Sequence, residues 1–82
     1  MEYRRTAERV STSLFGLMDF GESLSTCLVT DLSSKGARLR VSSAKALPAR
    51  FTLRISRTGA CHYAGLRWRN GDEVGVEFYP AG

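Results

Sequence analysis

Histidine occurs once in this chain, cysteine twice, and lysine only at positions 35 and 45. Each scarcity excludes something. Cys27 and Cys61 are too few and too far apart for a disulfide scaffold or a CxxC zinc site, so each is expected to pack as a small apolar residue in a reducing compartment. His62 follows Cys61, but one imidazole beside one thiol does not complete a metal shell. No long apolar run is present. The longest, near "LFGLM", falls far short of a membrane span. The amino terminus "MEYRRTAERV" has charges where a signal peptide needs an apolar stretch. These features point to a cytoplasmic protein. There is no phosphate-cradling glycine loop, and no carboxylate pair lies near a nucleophile, so catalysis is not expected. Asp31 and Ser33 have no base between them.

What is there is arginine. Twelve Lys and Arg oppose eight Asp and Glu, for a net charge of +4, and ten of the twelve are arginine. The planar guanidinium pairs bidentately with phosphate and stacks on flat rings, which an ammonium does not. The skew suits an anionic, aromatic partner, as well as an ordinary solvated surface. Eighty-two residues make one domain, too small for a deep cleft and a lid.

From Leu24 onward the dominant period is two. "GARLRVS" sets Ala37, Leu39 and Val41 against Arg38, Arg40 and Ser42. "FTLRIS" sets Phe51, Leu53 and Ile55 against Thr52, Arg54 and Ser56. "EVGVEF" sets Val74, Val76 and Phe78 against Gly75 and Glu77. Each reads as a half-buried strand. "RTG" and the Asn70-Gly71 dipeptide read as hairpin turns, and "AKALPA" with Pro48 as a loop. "SLFGLMDF" and "LSTCLVTDL" suit two further strands. About six short antiparallel strands in so small a chain are expected to close, because open edges invite aggregation. The expected fold is all-β, a small antiparallel barrel over residues 13–79 behind a flexible Arg-rich leader, residues 1–12. Trp68 and Phe78 are expected to close that barrel as core aromatics.

Two motifs stand out. Arg5 and Arg9 form R-x-x-x-R, a spacing that ten arginines produce roughly once by chance, and Arg50 with Arg54 repeats it. "DLSSKG" supplies D-x-S-x-x-G at Asp31, Ser33 and Gly36, a pattern expected by chance only about four times in a hundred. By itself it also reads as a turn that Asp31 and Ser33 cap and Gly36 closes at positive φ.

The order of these parts, "YRRTAER", then "DLSSKGARL", then "WRNGDEVGVEF", resembles the PilZ domain, the bacterial receptor module for cyclic di-GMP. The resemblance spans nearly the whole chain. It implies a non-catalytic second-messenger receptor or adaptor. In it, Arg5 and Arg9, with Arg4 ahead of them, fold over the ligand's phosphates and guanines. It also implies that Asp31 accepts from a guanine edge, that Ser33 contacts the ligand or braces the loop, and that Gly36 lets the backbone approach the base. Arg38 matches an arginine of some members. Ligand binding would then order the arginine leader and change a protein-interaction surface. Many PilZ domains end in a helix across the barrel, whereas only "YPAG" follows Phe78 here, leaving a face for a partner protein or a homodimer. Two other readings stand beside this one. The first is a PilZ-like interaction module without ligand. The second is a small-barrel nucleic-acid binder, disfavoured because outward strand positions carry few aromatics.

Overall fold

Period-two alternation dictates which side chains can share an interior, and the strands follow it. A computed structural model describes residues 10–42 and 46–80. Its strands are β1 (Val10–Asp19), β2 (Leu24–Leu32), β3 (Gly36–Arg40), β4 (Arg50–Ile55), β5 (Cys61–Asn70) and β6 (Glu73–Tyr79). All pairings are antiparallel, and the strands close in the order β1-β2-β3-β6-β5-β4. The barrel is thus two meanders, β1-β2-β3 and β4-β5-β6, joined where β3 meets β6 and β1 meets β4. Closure leaves no unpaired edge strand, as expected for a small all-β domain. Among the described residues no helix is long and apolar enough to cross a membrane.

The interior is filled from every strand. Met18, Val29, Leu39, Leu53, Ile55 and Val74 are fully buried, with Phe51, Val41 and Val76 nearly so. Gly16 lets β1 come close to this cluster, because a Cβ there would sit 2.9 Å from the Cys27 Sγ and 3.1 Å from Leu53. Leu14, Leu32, Leu66 and Phe78 pack at the margins of the core. Phe78 does help close the barrel, its ring stacked on His62 at 4.1 Å.

Turn chemistry holds with one shift. Asn70 pairs with Glu73, so the tip of the β5-β6 hairpin is Gly71-Asp72 and not Asn70-Gly71. Gly71 takes φ +64°, where a side chain is strained, and this fixes the position of the tip. Gly59, at φ +75°, closes the β4-β5 turn and donates to the Ile55 carbonyl at 2.7 Å.

The two cysteines part company. Cys27 is a core residue, and burial pushes its thiol up to about 11, against the lowering effect of its hydrogen bond with the Gly16 backbone. Cys61 is exposed, because its partner on β4 is the outward-facing Arg54. The expectation that both pack as apolar residues therefore fails for Cys61. A thiol reagent at neutral pH should label one cysteine in the native protein and the second only on unfolding. The unfolded Cys27 thiol loses its proton near its ordinary value of 9.0, whereas the folded one holds it until about 11. Unfolding then releases a proton, so this group's contribution to stability should fall as pH rises through that window. A Cys27→Ala variant should lack that component in denaturant titrations followed across the same pH range.

Candidate functional site

Two extra residues decide what the outer wall displays. In the β2-β3 ladder Leu28 and Val29 face Arg40 and Leu39, but Asp31 faces Arg38, so Thr30 is inserted as a bulge. In the β5-β6 ladder Leu66 faces Val76 and Trp68 faces Gly75, so Arg67 is inserted likewise. Simple alternation would turn Asp31 inward after Cys27 and Val29, and Trp68 inward after Ala64 and Leu66. Each bulge reverses that phase.

The result is one row across four strands. Asp31 on β2 lies opposite Arg38 on β3, Arg38 opposite Gly75 on β6, and Gly75 opposite Trp68 on β5. Trp68 is 43% exposed, so the expectation that it fills the core is wrong. Its indole lies flat on Gly75, where an added Cβ would overlap the ring nitrogen. The Arg38 guanidinium carbon lies 5.8 Å from the indole centroid, within reach of a cation–π contact. The same guanidinium sits beside Asp31, with Nε 3.6 Å from the carboxylate Oδ2. That distance is too long for a hydrogen bond. Arg38 Nε is buried and, among the described residues, donates to no acceptor. A shielded donor held only by a long ion-pair contact is uncommon.

The bulge residues are held in turn. The Thr30 hydroxyl donates to the Arg38 carbonyl at 3.2 Å, and Arg67 pairs with Glu77. Beside the row, DLSSKG forms the β2-β3 turn. Ser33 N–H donates to the Gly36 carbonyl at 2.9 Å, and Ser33 Oγ accepts from the Lys35 and Gly36 N–H groups at 3.2 and 3.3 Å. Ser33 therefore braces the loop, one of the two roles expected of it. Phe78 N–H donates to the Lys35 carbonyl at 2.8 Å, tying the tip to β6.

Gly36 is not in the left-handed region, so it does not close the turn by positive φ. A Cβ on it would run into the Val76 carbonyl and lie 3.2 Å from the Glu77 Cα. The close approach that Gly36 permits is to the backbone of β6.

A recess of about 210 Å³ opens between this turn and the indole, lined among others by Ser33, Lys35, Gly36, Arg38, Arg67 and Trp68. Of the residues the sequence singled out, Ser33, Gly36 and Arg38 line it, and Asp31 touches it through Arg38. Arg4, Arg5 and Arg9 lie outside the described residues. Lys35 and Arg67 were not foreseen as lining residues, and for Trp68 core packing was preferred over ligand stacking. A bulge on β5 has no signature in residue type. With Trp68 and Tyr63 outward, the argument that outward aromatics are few no longer holds.

The family model of the PilZ domain matches residues 3–81. The chain belongs to the PilZ family. That family consists of cyclic di-GMP-binding and adaptor domains rather than known enzymes. No curated protein matches the chain.

Two substitutions separate the roles of the glycines. Gly75→Ala should lift the indole of this PilZ domain off the wall. The expected signs are red-shifted tryptophan emission and a stability loss of about 1–2 kcal/mol in chemical denaturation. Gly36→Ala strikes backbone that cannot yield, and should cost about 2–3 kcal/mol or more. A near-neutral result for Gly36→Ala would show that β6 does not need the missing Cβ.

Proposed function

We infer that this PilZ domain is a cyclic di-GMP receptor that binds the dinucleotide on the outer wall spanning β2, β3, β6 and β5. The observation that carries the reading is the row Asp31–Arg38–Gly75–Trp68, with the Arg38 guanidinium set between a carboxylate and an indole, beside the DLSSKG turn. The chemistry of the row suits the ligand's two components. Asp31, an acceptor-only carboxylate when ionised, matches the N1–H and N2–H₂ edge of guanine. Arg38 suits phosphate oxygens or the guanine O6 and N7 pair. The indole of Trp68 presents a face on which a purine stacks.

The recess is smaller than the roughly 300 Å³ and upward of ordinary ligand pockets, so a dinucleotide would be held half-exposed unless something covers it. Arg5 and Arg9, with Arg4, are the residues proposed to do so. The register supports this. Val10 lies opposite Leu32 and Ser11 opposite Asp31, so β1 begins beside the DLSSKG turn. Covalent geometry keeps the Arg9 Cα about 4 Å from that of Val10, and the Arg5 Cα within about 18 Å. This tether to the strand end beside the turn supports assigning the cover to these arginines. Closing over the ligand, they order the leader and alter the surface offered to a partner protein, which couples ligand occupancy to protein recognition.

Calorimetric titration with cyclic di-GMP, and with GTP as the comparison, tests the reading. Binding of the dinucleotide is expected, with quenching or shift of Trp68 emission. Arg5→Ala and Arg9→Ala should each weaken it about 10- to 100-fold while leaving the fold intact. Asp31→Ala should lower affinity for cyclic di-GMP more than for a guanine-free cyclic dinucleotide. Wild-type affinity in either arginine variant would refute the assigned site.

A further inference from the structure

By strand order β4 lies across the barrel from β3, so a second outer wall, formed by β1, β4 and β5, faces away from the recess just described. The alternation that buries Phe51, Leu53 and Ile55 turns Arg50, Thr52 and Arg54 outward. Cross-strand register gives three rows. Leu17, Arg54 and Cys61 form one; Asp19, Thr52, Tyr63 and Tyr79 the next; Arg50, Gly65 and Glu77 the third. Tyr79 lies over Gly65, where an added Cβ would overlap its ring. Its centroid is 5.1 Å from the Arg50 guanidinium and 5.8 Å from the Tyr63 ring. Tyr63 is half-exposed and Leu24, at the rim, is 60% exposed.

The charge here is unbalanced. Among the described residues no ion pair holds Arg50, Arg54 or Arg57, the last in the adjoining β4-β5 turn. Glu77 is already taken by Arg67, and Asp19 accepts from the Gly21 N–H at 2.8 Å. Beside Arg54 a hollow of about 230 Å³ is lined by Leu17, Leu24, Thr52, Cys61 and Asp19. Unpaired guanidinium forks, tyrosine faces and an aliphatic hollow together make up the composition of a protein-recognition hot spot.

We propose that the β1-β4-β5 wall is a docking surface for an acidic, extended segment of a partner protein, which places an aliphatic side chain in the Leu17–Leu24 hollow and carboxylates on Arg50 and Arg54. The two arginines are four residues apart on one strand face, a separation of about 13 Å. An extended segment with the pattern Glu-x-Leu-x-Glu has the same repeat, so its carboxylates meet both forks while the leucine points into the wall. Single-stranded nucleic acid fits less well. The Tyr79 face is engaged with Arg50 and Gly65, and its ring is tilted 50° from Tyr63, so the wall offers no continuous platform for successive bases. The hollow sets Leu17 and Leu24 beside the Asp19 carboxylate, which suits an aliphatic side chain rather than a phosphate. This surface shares no residue with the cyclic di-GMP recess and does not depend on that reading.

The test is amide chemical-shift mapping of the whole chain against a synthetic twelve-residue peptide carrying Glu-Ser-Leu-Ser-Glu. The same peptide with both glutamates replaced by glutamine, and an oligo-dT of equal charge, are the comparisons. Shifts are expected at Arg50, Thr52, Arg54, Cys61 and Tyr63, lost with the glutamine peptide. Arg54→Glu should weaken peptide binding about tenfold or more, and Tyr63→Ala should weaken it too. Cyclic di-GMP titrations of the Arg54→Glu protein should match the wild type, so failure here and failure of the receptor reading are separable. Three results would each overturn the proposal: shifts that map elsewhere, affinity indifferent to Arg54→Glu, or oligo-dT binding this wall when the acidic peptide does not.

Discussion

Closing six strands around a filled interior makes the side of the barrel on which each residue falls a matter of strict register. Among the described residues the interior holds apolar side chains and the bare Gly16, and no polar or charged residue is buried, so recognition chemistry has to be carried on the outer wall. The bulges at Thr30 and Arg67 are what put it there. Without them a carboxylate at position 31 would enter an apolar interior, where an unpaired charge is costly, and an indole at 68 would overfill it. With them, Asp31 and Trp68 come out on the same row, one on each side of Arg38. The inserted residues do not hang free. Thr30 covers the Arg38 carbonyl and Arg67 answers Glu77, so the irregularities that aim the site are themselves held by side chains.

Glycine completes the outer wall by absence. Gly75 and Gly65 leave flat seats on which Trp68 and Tyr79 lie against the sheet. An aromatic seated there covers main chain that would otherwise meet solvent. The cation next to each ring, Arg38 by Trp68 and Arg50 by Tyr79, repeats the same local device on two different walls. What differs is the surrounding charge. Beside Trp68 a carboxylate and a serine-braced turn make a mixed, nucleotide-like environment. Beside Tyr79 leucines lie close by and the arginines carry no ion pair among the described residues, because Glu77 pairs with Arg67 and Asp19 accepts from Gly21, an environment suited to a protein. A small closed barrel can in this way hold two surfaces back to back, since its interior isolates one from the other.

Much of this was legible in the residues. The alternation of Ala37, Leu39 and Val41, and of Phe51, Leu53 and Ile55, gave strands with the correct side inward, and the turn at DLSSKG followed from its serine and glycine. The resemblance to PilZ domains agreed with the family to which the chain belongs. The misses share one cause. Trp68 was assigned to the core because period two, carried on from Ala64 and Leu66, demands it. A single inserted residue reverses that phase and leaves no trace in composition. The hairpin tip fell on Gly71-Asp72 rather than Asn70-Gly71 because pairing of Asn70 with Glu73 outweighed the dipeptide preference. Gly36 was given a ligand-facing reason, whereas the backbone of β6, forty residues further along the chain, is what it makes room for.

The residue order by itself determined the all-β class, the inward faces of β3 and β4 and the turn that Ser33 braces. These depend on neighbours within a few positions, where period and turn chemistry act. Tertiary structure alone decided that Asp31, Arg38 and Trp68 share a row, that Cys61 is exposed while Cys27 is not, and that the unpaired arginines gather on the far wall. Each of those facts belongs to the register between strands distant in sequence. Register is set only when all six strands close at once, through the packing of a common interior and the bulges that closure accommodates.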